Sequence, residues 1–157
     1  MAQLIGALMR VAPRASRIAA APSGPEPIRR ACCCYDHLAD GLGTGLLAVM
    51  RRKGWLTDAA SALQPKALLL SPRGEKALAA LGLDLDAARS RSQHRQFACT
   101  CLDWSERRDH LGRALGTALA ARFTQLHWIE RKTRARVVQV TVEGAAQFKH
   151  LGFPARG

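Results

Sequence analysis

Residues 37–56 read HLADGLGTGLLAVMRRKGWL, and a similar stretch occurs again farther along the chain. Residues 110–129 read HLGRALGTALAARFTQLHWI, so an offset of 73 residues aligns the two. After a loop the offset falls to 70, and LSPRGEKALAALGL (70–83) aligns with VTVEGAAQFKHLGF (140–153). Loops tolerate such a change of length. The pattern predicts an internal duplication, in which the residues kept in both copies serve a shared fold.

Each copy is predicted to contain a helix, a glycine break, a second helix, a Trp-led strand, a loop, another strand and a capped helix. In the first copy, the first helix should cover residues 28–40, and Gly41 and Gly43 should interrupt it. Ser71 and Pro72 should begin the last helix, with the Ser hydroxyl as the cap and Pro in the first turn, and Gly82 should end it. A helix pair followed by a hairpin resembles a winged helix.

The predicted fold class is therefore mainly α with small β-hairpins (α+β). It consists of two tandem winged-helix-like repeats after an N-terminal helix. Residues 1–25 form that helix and a Pro/Ala-rich linker, and residues 26–83 form the first repeat. A basic linker covers residues 84–97, and the second repeat covers residues 98–157.

Charge and cysteine content suggest the kind of partner and the compartment. The 157 residues carry a net charge of +12. Such a surplus favours polyanionic partners, most often nucleic acid, although coding bias is an alternative cause. The five cysteines are odd in number and three are adjacent, which is a poor disulfide framework and favours a reducing compartment. No stretch is long enough to span a membrane, so we expect a cytoplasmic protein.

The candidate DNA-contacting residues are basic side chains in two segments. Wings and basic linkers commonly contact phosphates without reading bases, and the alternative is a solvated loop with ordinary surface charge. The helices GTGLLAVM and GTALAARF are too apolar to read bases. The candidates in the second hairpin and in the linker are Arg131, Lys132, Arg134, Arg136, Arg89, Arg91 and Arg95.

A second candidate site is a thiol and imidazole cluster. Cys34 and His37 are three residues apart on a predicted helix, so they should share one face. Cys99 and Cys101 supply two more thiols. Such ligands suit zinc or a softer metal, but buried cysteines that act as small hydrophobes are the alternative. The pattern predicts no cofactor other than such a metal.

His37 and His110 are equivalent across the repeat, which favours a structural role over catalysis. Each should bond a nearby backbone or carboxylate group, with Asp36 and Asp109 as local partners. A triad of Ser105, His110 and Asp109 lacks a nucleophile elbow, so the sequence predicts no enzyme.

The segment CLDWSERRDHLGRALG (101–116) is otherwise explained as the start of a helix. Asp103 or Ser105 should cap that helix, and Glu106 should lie beside its N-terminus. Trp104 and Trp128 should be packing anchors.

The segments CYDHLADGLG (34–43) and CLDWSERRDHLGRALG (101–116) resemble two signature segments of ArsR-type bacterial transcription regulators. MAQLIGALMRV resembles the helix that leaves the N-terminal DNA-binding domain of that family. The resemblance implies a C-terminal region without the N-terminal DNA-reading domain, from a shortened protein or a start assigned too late. It also implies a homodimer and a role in dimerisation or effector sensing, with non-specific DNA contact. The alternative is a metal- or thiol-responsive binding module without DNA binding of its own.

Overall fold

The structure is a computed structural model, and it describes residues 32–34, 36–93, 96–104, 106–131 and 136–153. The predicted N-terminal helix and linker (1–25) lie outside these residues. Four residues named above also lie outside them: Arg95, Ser105, Lys132 and Arg134.

The described residues form an α+β fold, as predicted. It contains five helices and four antiparallel two-stranded hairpins. In chain order the elements are β1 (Cys32–Cys34), β2 (His37–Ala39), α1 (Asp40–Arg52), β3 (Leu56–Asp58), β4 (Leu68–Leu70), α2 (Pro72–Ala80), α3 (Leu85–Ser92), β5 (Cys99–Asp103), β6 (Arg108–Gly112), α4 (Arg113–Gln125), β7 (Ile129–Arg131), β8 (Val138–Val140) and α5 (Val142–Leu151).

The order hairpin, helix, hairpin, helix occurs twice, and α3 lies between the two halves. The strands pair as β1–β2, β3–β4, β5–β6 and β7–β8. Helices α1 and α4 begin at equivalent positions of the 73-residue offset, and β4 and β8 follow the 70-residue offset. The segment expected to be a basic linker contains helix α3, which packs against α4 and α2.

The helix predicted over residues 28–40 is wrong in its described part, which is the hairpin β1–β2. A run of small apolar residues fits either a buried helix or a buried strand, and Cys33, Leu38 and Ala39 are buried here. The helix predicted to carry ERRDHLGRALG is wrong in the same way. Its first part is strand β6, and helix α4 begins only at Arg113.

The glycines predicted to break the first helix lie inside α1 instead. A Cβ atom at Gly43 would lie 2.3 Å from the carbonyl oxygen of Leu38, and one at Gly116 would lie 2.5 Å from that of Leu111. Real Cβ atoms essentially never approach an atom so closely. These glycines therefore let each helix lie directly on the hairpin that precedes it.

The predicted caps of the last helix in each half are confirmed. The Ser71 hydroxyl accepts a hydrogen bond from the Gly74 backbone N–H at 3.0 Å. Thr141 accepts one in the same way from Gly144 at 2.9 Å. Each cap satisfies an N–H group that has no partner within the helix.

The two halves interlock. Helix α1 packs against β6, helix α4 packs against β2, and β2 packs against β6. The backbone N–H of Cys33 donates to the carbonyl of Arg136 at 2.8 Å, and that of Thr100 donates to the carbonyl of Lys66 at 2.9 Å. The first hairpin of each half is thus bonded to residues beside the second hairpin of the other half. The hairpins β1–β2 and β5–β6 consequently meet at the centre of the molecule.

One of the two predicted tryptophan anchors is confirmed. Trp128 is buried and stacks on Phe123, and both rings contact Phe148 edge-on. Trp104 is 85% exposed, so its assignment as an anchor is wrong. It lies at the tip of the β5–β6 hairpin rather than in the first turn of a helix.

Candidate metal centre

The two central hairpins each place a cysteine opposite a histidine. In the strand register Cys34 pairs with His37, and Cys101 pairs with His110. Residues opposite each other in an antiparallel pair project from the same face of the sheet, with Cβ atoms about 4.5–5.5 Å apart. Because the two hairpins face each other, all four ligand atoms lie within 4.8 Å of one another. This set contains two sulfurs and two imidazole nitrogens.

The two histidines meet at their Nε2 atoms, which are 3.1 Å apart. The ring centroids are 5.1 Å apart, with the planes tilted by 36°. Both residues are buried. With no ion between the rings, one Nε2 donates a hydrogen bond and the other accepts it, so the two rings hold opposite tautomers at this atom.

Each histidine turns its other nitrogen towards a carboxylate. His37 Nδ1 lies 3.2 Å from Asp36 Oδ1, and His110 Nδ1 lies 3.6 Å from Asp103 Oδ2. The separation at His110 is too long for a direct hydrogen bond, and its Nδ1 is buried without a hydrogen-bond partner. Histidines that bind metals almost always present their second N–H to a carboxylate, a carbonyl or a water. The orientation of both rings matches that arrangement.

Each of the two carboxylates accepts a hydrogen bond from the opposite half of the molecule. The Thr117 hydroxyl donates to Asp36 Oδ2 at 2.9 Å. The backbone N–H of Asp40 donates to Asp103 Oδ2 at 2.7 Å, and that of Glu106 donates to Asp103 Oδ1 at 3.1 Å. These hydrogen bonds therefore fix the position of each carboxylate beside its histidine. Asp103 bonds a helix start, but that of α1 rather than the helix predicted to follow it.

Burial favours the neutral forms of His110 and Cys101. It lowers the pKa of His110, and the nearby His37 lowers it further. Burial also raises the pKa of Cys101, an effect to which the neighbouring Cys34 adds. Asp36 behaves differently, because hydrogen bonds from Thr117 and His37 outweigh its burial and lower its pKa. A neutral imidazole is the form that binds metals, whereas a thiol must lose its proton.

Glycines allow the histidines to reach the centre. A Cβ atom at Gly112 would lie 3.5 Å from His37 Nε2, and one at Gly116 would lie 3.1 Å from His37 Cβ. On the other side, a Cβ atom at Gly43 would lie 3.3 Å from His110 Cβ. Helices α1 and α4 thus pack directly on the two histidine side chains, and Gly112 at the end of β6 leaves room for the His37 ring.

Three of the four metal candidates from the sequence come together here, namely Cys34, His37 and Cys101. The fourth, Cys99, is buried opposite Gly112 and is not part of the group. His110 completes the group, although the sequence indicated only a structural role for it. The pattern Cys-x-Asp occurs at both cysteines, and Asp-His ends both segments. Pairing these patterns as two hairpins would have identified His110.

The chain is similar to a curated protein of Bacillus subtilis (strain 168), described as the uncharacterized HTH-type transcriptional regulator YdfF. The two sequences are 33% identical over 152 residues, which is 96% of this chain and 64% of the relative. The chain thus spans just under two thirds of the length of the relative that it matches. No protein-family model matches the chain, and no solved structure matches it.

The basic candidates that the structure describes lie in two places. Arg131 ends β7 and Arg136 lies just before β8, and both are exposed at the tip of this hairpin. Arg91 is exposed on α3. Arg89, on the same helix, pairs with Glu75 and lies 5.5 Å from the centre of the Phe97 ring. Its guanidinium group therefore already has an acidic partner.

In the described part of the chain, no helix is both long and apolar enough to cross a membrane. The triad weighed above gains no support, because Ser105 lies outside the described residues and His110 faces His37 and Asp103.

Proposed function

We propose that this chain is the C-terminal dimerisation and effector region of a DNA-binding transcription regulator of ArsR type, and that it works in the cytoplasm. The observation that carries the proposal is the similarity to an HTH-type transcriptional regulator over 96% of the chain. The net charge of +12 supports a polyanionic partner. A regulator of this kind needs no catalytic group, so the proposal includes no enzymatic activity.

The duplicated, winged-helix-like description of each half belongs to this proposal. The order hairpin, helix, hairpin, helix, which occurs twice at matching offsets, supports the duplication. The support for the winged-helix-like part is the hairpin followed by a capped helix in each half, β3–β4 with α2 and β7–β8 with α5. In this description the hairpin β7–β8 is the basic wing, and its tip is the part of the chain that contacts phosphates. Arg131 and Arg136 flank that tip, Lys132 and Arg134 follow from the sequence, and the three candidates Arg89, Arg91 and Arg95 assist.

Binding to duplex DNA at several salt concentrations tests this proposal. We expect weak, sequence-independent binding whose affinity falls steeply with salt, since each neutralised phosphate contributes about −0.9 to the slope of log K against log salt. The double variant Arg131→Ala/Arg136→Ala should flatten that slope by about 0.9 for each phosphate that it no longer neutralises. The control Arg73→Ala/Lys76→Ala removes the same charge from exposed positions on α2 and should leave the slope nearly unchanged. Equal effects of the two double variants, or no DNA binding by the unaltered chain, would contradict the assignment of the wing.

The proposed homodimer is tested separately by sedimentation velocity. A dimer at micromolar concentration supports a role in dimerisation, and a monomer at all accessible concentrations contradicts it.

The second candidate function is a metal- or thiol-responsive module without its own DNA binding. The observation that favours it is the group of two cysteines and two histidines at the centre of the molecule. Absence of DNA binding combined with a response of this group to metal or oxidant would select this function over the first.

A further inference from the structure

We propose that one zinc ion binds between the two central hairpins and joins the halves of the chain. Its four ligands are Cys34, His37, Cys101 and His110. The inference is independent of DNA binding, because the site is built only from residues in the middle of the fold.

The ligand types select the metal. Two thiolates and two neutral imidazoles form a set that structural zinc sites use, with tetrahedral geometry and all four positions filled by protein. The charges of the two thiolates balance that of Zn²⁺, which leaves a neutral centre suited to burial. Magnesium and calcium prefer oxygen ligands, and none of these four ligands offers one.

The distances suit a tetrahedral ion after a small contraction. Metal–nitrogen bonds of about 2.0–2.1 Å place two tetrahedral nitrogen ligands about 3.3 Å apart, and the observed separation of the Nε2 atoms is 3.1 Å. Metal–sulfur bonds of about 2.3 Å place two sulfurs about 3.8 Å apart. The ligand atoms here lie within 4.8 Å of one another. A pair of sulfurs at that limit would need to close by about 1 Å, which a rotation about a side-chain bond can supply.

The surroundings of the histidines point to a metal rather than to a simple buried pair. Both imidazoles aim Nε2 at the shared centre and Nδ1 at a carboxylate. The hydrogen bond between the two Nε2 atoms leaves His110 Nδ1 buried without a hydrogen-bond partner, 3.6 Å from Asp103 Oδ2. A metal bound at both Nε2 atoms would leave the proton of each ring on Nδ1. Each Nδ1–H could then donate a hydrogen bond to its carboxylate.

The backbone supports the same four residues. The neighbours of the two cysteines, Cys33 and Thr100, are each hydrogen-bonded to the other half. Each half thus supplies one cysteine and one histidine from a hairpin whose position the other half fixes. An ion at the centre adds a direct link between the halves. Zinc binding should consequently stabilise the folded chain as a whole.

The test uses the full chain, reduced and freed of metal with a chelator. Titration with Zn²⁺ against a chromophoric chelator should give one tightly bound ion per chain, and thermal unfolding should move to a higher temperature. Co²⁺ should produce thiolate-to-metal charge-transfer absorption and the strong visible bands of a tetrahedral ion. Binding of less than one ion per chain, or the pale spectrum of octahedral Co²⁺, overturns the proposal.

A pair of cysteine variants on one strand shows whether these ligands are responsible. Cys101→Ser should weaken zinc binding by more than the about 10–100-fold typical of losing an outer-shell partner. Cys99→Ser is the control, since Cys99 lies two residues away on β5 and outside the group, and it should leave affinity unchanged. Equal affinity of Cys101→Ser and the unaltered chain overturns the proposal, as does loss of binding in Cys99→Ser.

His110→Gln is the second ligand variant, and circular dichroism of the metal-free proteins shows whether each variant folds. A folded His110→Gln that binds zinc normally overturns the proposal. If both ligand variants fail to fold, the cobalt spectrum of the unaltered chain still decides, because sulfur coordination appears in it directly.

Discussion

At the scale of single residues, the central feature of the molecule is the orientation of two histidines. His37 and His110 point their Nε2 atoms at each other and their Nδ1 atoms at Asp36 and Asp103. Equivalence across the repeat favoured a structural role in which each histidine bonds a nearby backbone or carboxylate group, and His37 does contact Asp36. The structure adds that these equivalent residues of two facing halves meet each other at one point. Duplication thus builds one site from two copies of a cysteine and histidine pair.

Asp36 gives the cleanest test at this scale. Its side chain is 63% exposed, so Asp36→Asn should not disturb the core, yet it weakens the hold on His37 Nδ1. We expect zinc affinity to fall by about 10–100-fold, measured by competition with a chelator. Asp58→Asn is the matched control, because Asp58 is a similarly exposed carboxylate that pairs with Arg51. Equal affinities of these two variants would contradict the role of Asp36.

At the scale of elements, the glycines of α1 and α4 determine how closely helix and hairpin pack. Glycine inside a helix normally costs about 1 kcal/mol relative to alanine. Gly43 and Gly116 are retained inside helices where a Cβ atom would collide with a backbone carbonyl. Close approach outweighs helix propensity at both positions, and the same approach brings His110 and His37 next to the helices.

Substitution of Gly43 by alanine distinguishes helix propensity from close packing, because the two change the free energy of unfolding in opposite directions. Helix propensity alone predicts a gain of about 1 kcal/mol in the free energy of unfolding, whereas collision with Leu38 predicts a net loss of about 1–3 kcal/mol from overpacking. We expect the loss, measured by urea denaturation of the metal-free protein. Ala121→Gly, at an exposed position of α4, is the control and should cost about 1 kcal/mol from propensity. A Gly43→Ala protein that is more stable than the unaltered chain would show that the helix has room at this point.

At the scale of the whole molecule, the halves complete each other. Each central hairpin is bonded to the other half, and each long helix packs against the other half's hairpin. Arg122 and Arg52 add further links, since they donate to the carbonyls of Leu81 and Gly152 near the ends of α2 and α5. Each half therefore depends on the other to cover its helix and its central hairpin.

This interlocking predicts that one half alone does not fold. A fragment covering residues 96–157 should lack a cooperative thermal transition by circular dichroism, because β5–β6 and α4 lose their partners. Mixing it with a fragment covering residues 1–93 should restore part of the helical signal. A cooperative transition in the isolated 96–157 fragment would contradict the interlocked description.

The sequence predicted the elements whose signals are local. The hairpin β3–β4 and the caps at Ser71 and Thr141 appear where expected, because turns and caps depend on a few adjacent residues. The hairpin β1–β2 was missed, since small apolar residues such as Cys33 and Ala39 suit a helix equally well. The placement of Trp104 was wrong for a different reason, because the polar residues around it fit a helix start as well as a hairpin tip.

The proposed metal centre was only partly predictable. Cys34, His37 and Cys101 were named from their ligand chemistry, but the spacing on a helix was the wrong geometry for them. Each cysteine instead lies opposite a histidine within one hairpin, Cys34 opposite His37 and Cys101 opposite His110. The two hairpins have loops of different length. The meeting of these two distant segments in space brings all four candidate ligands together.

X-ray absorption at the zinc edge of the zinc-loaded chain tests the central claim most directly, because it counts the ligands around the ion. We expect about two sulfur ligands near 2.3 Å and about two nitrogen ligands near 2.0–2.1 Å, with the multiple-scattering pattern of imidazole. A shell that contains only oxygen and nitrogen, or one with four sulfurs, would contradict a site built from one cysteine and one histidine of each half.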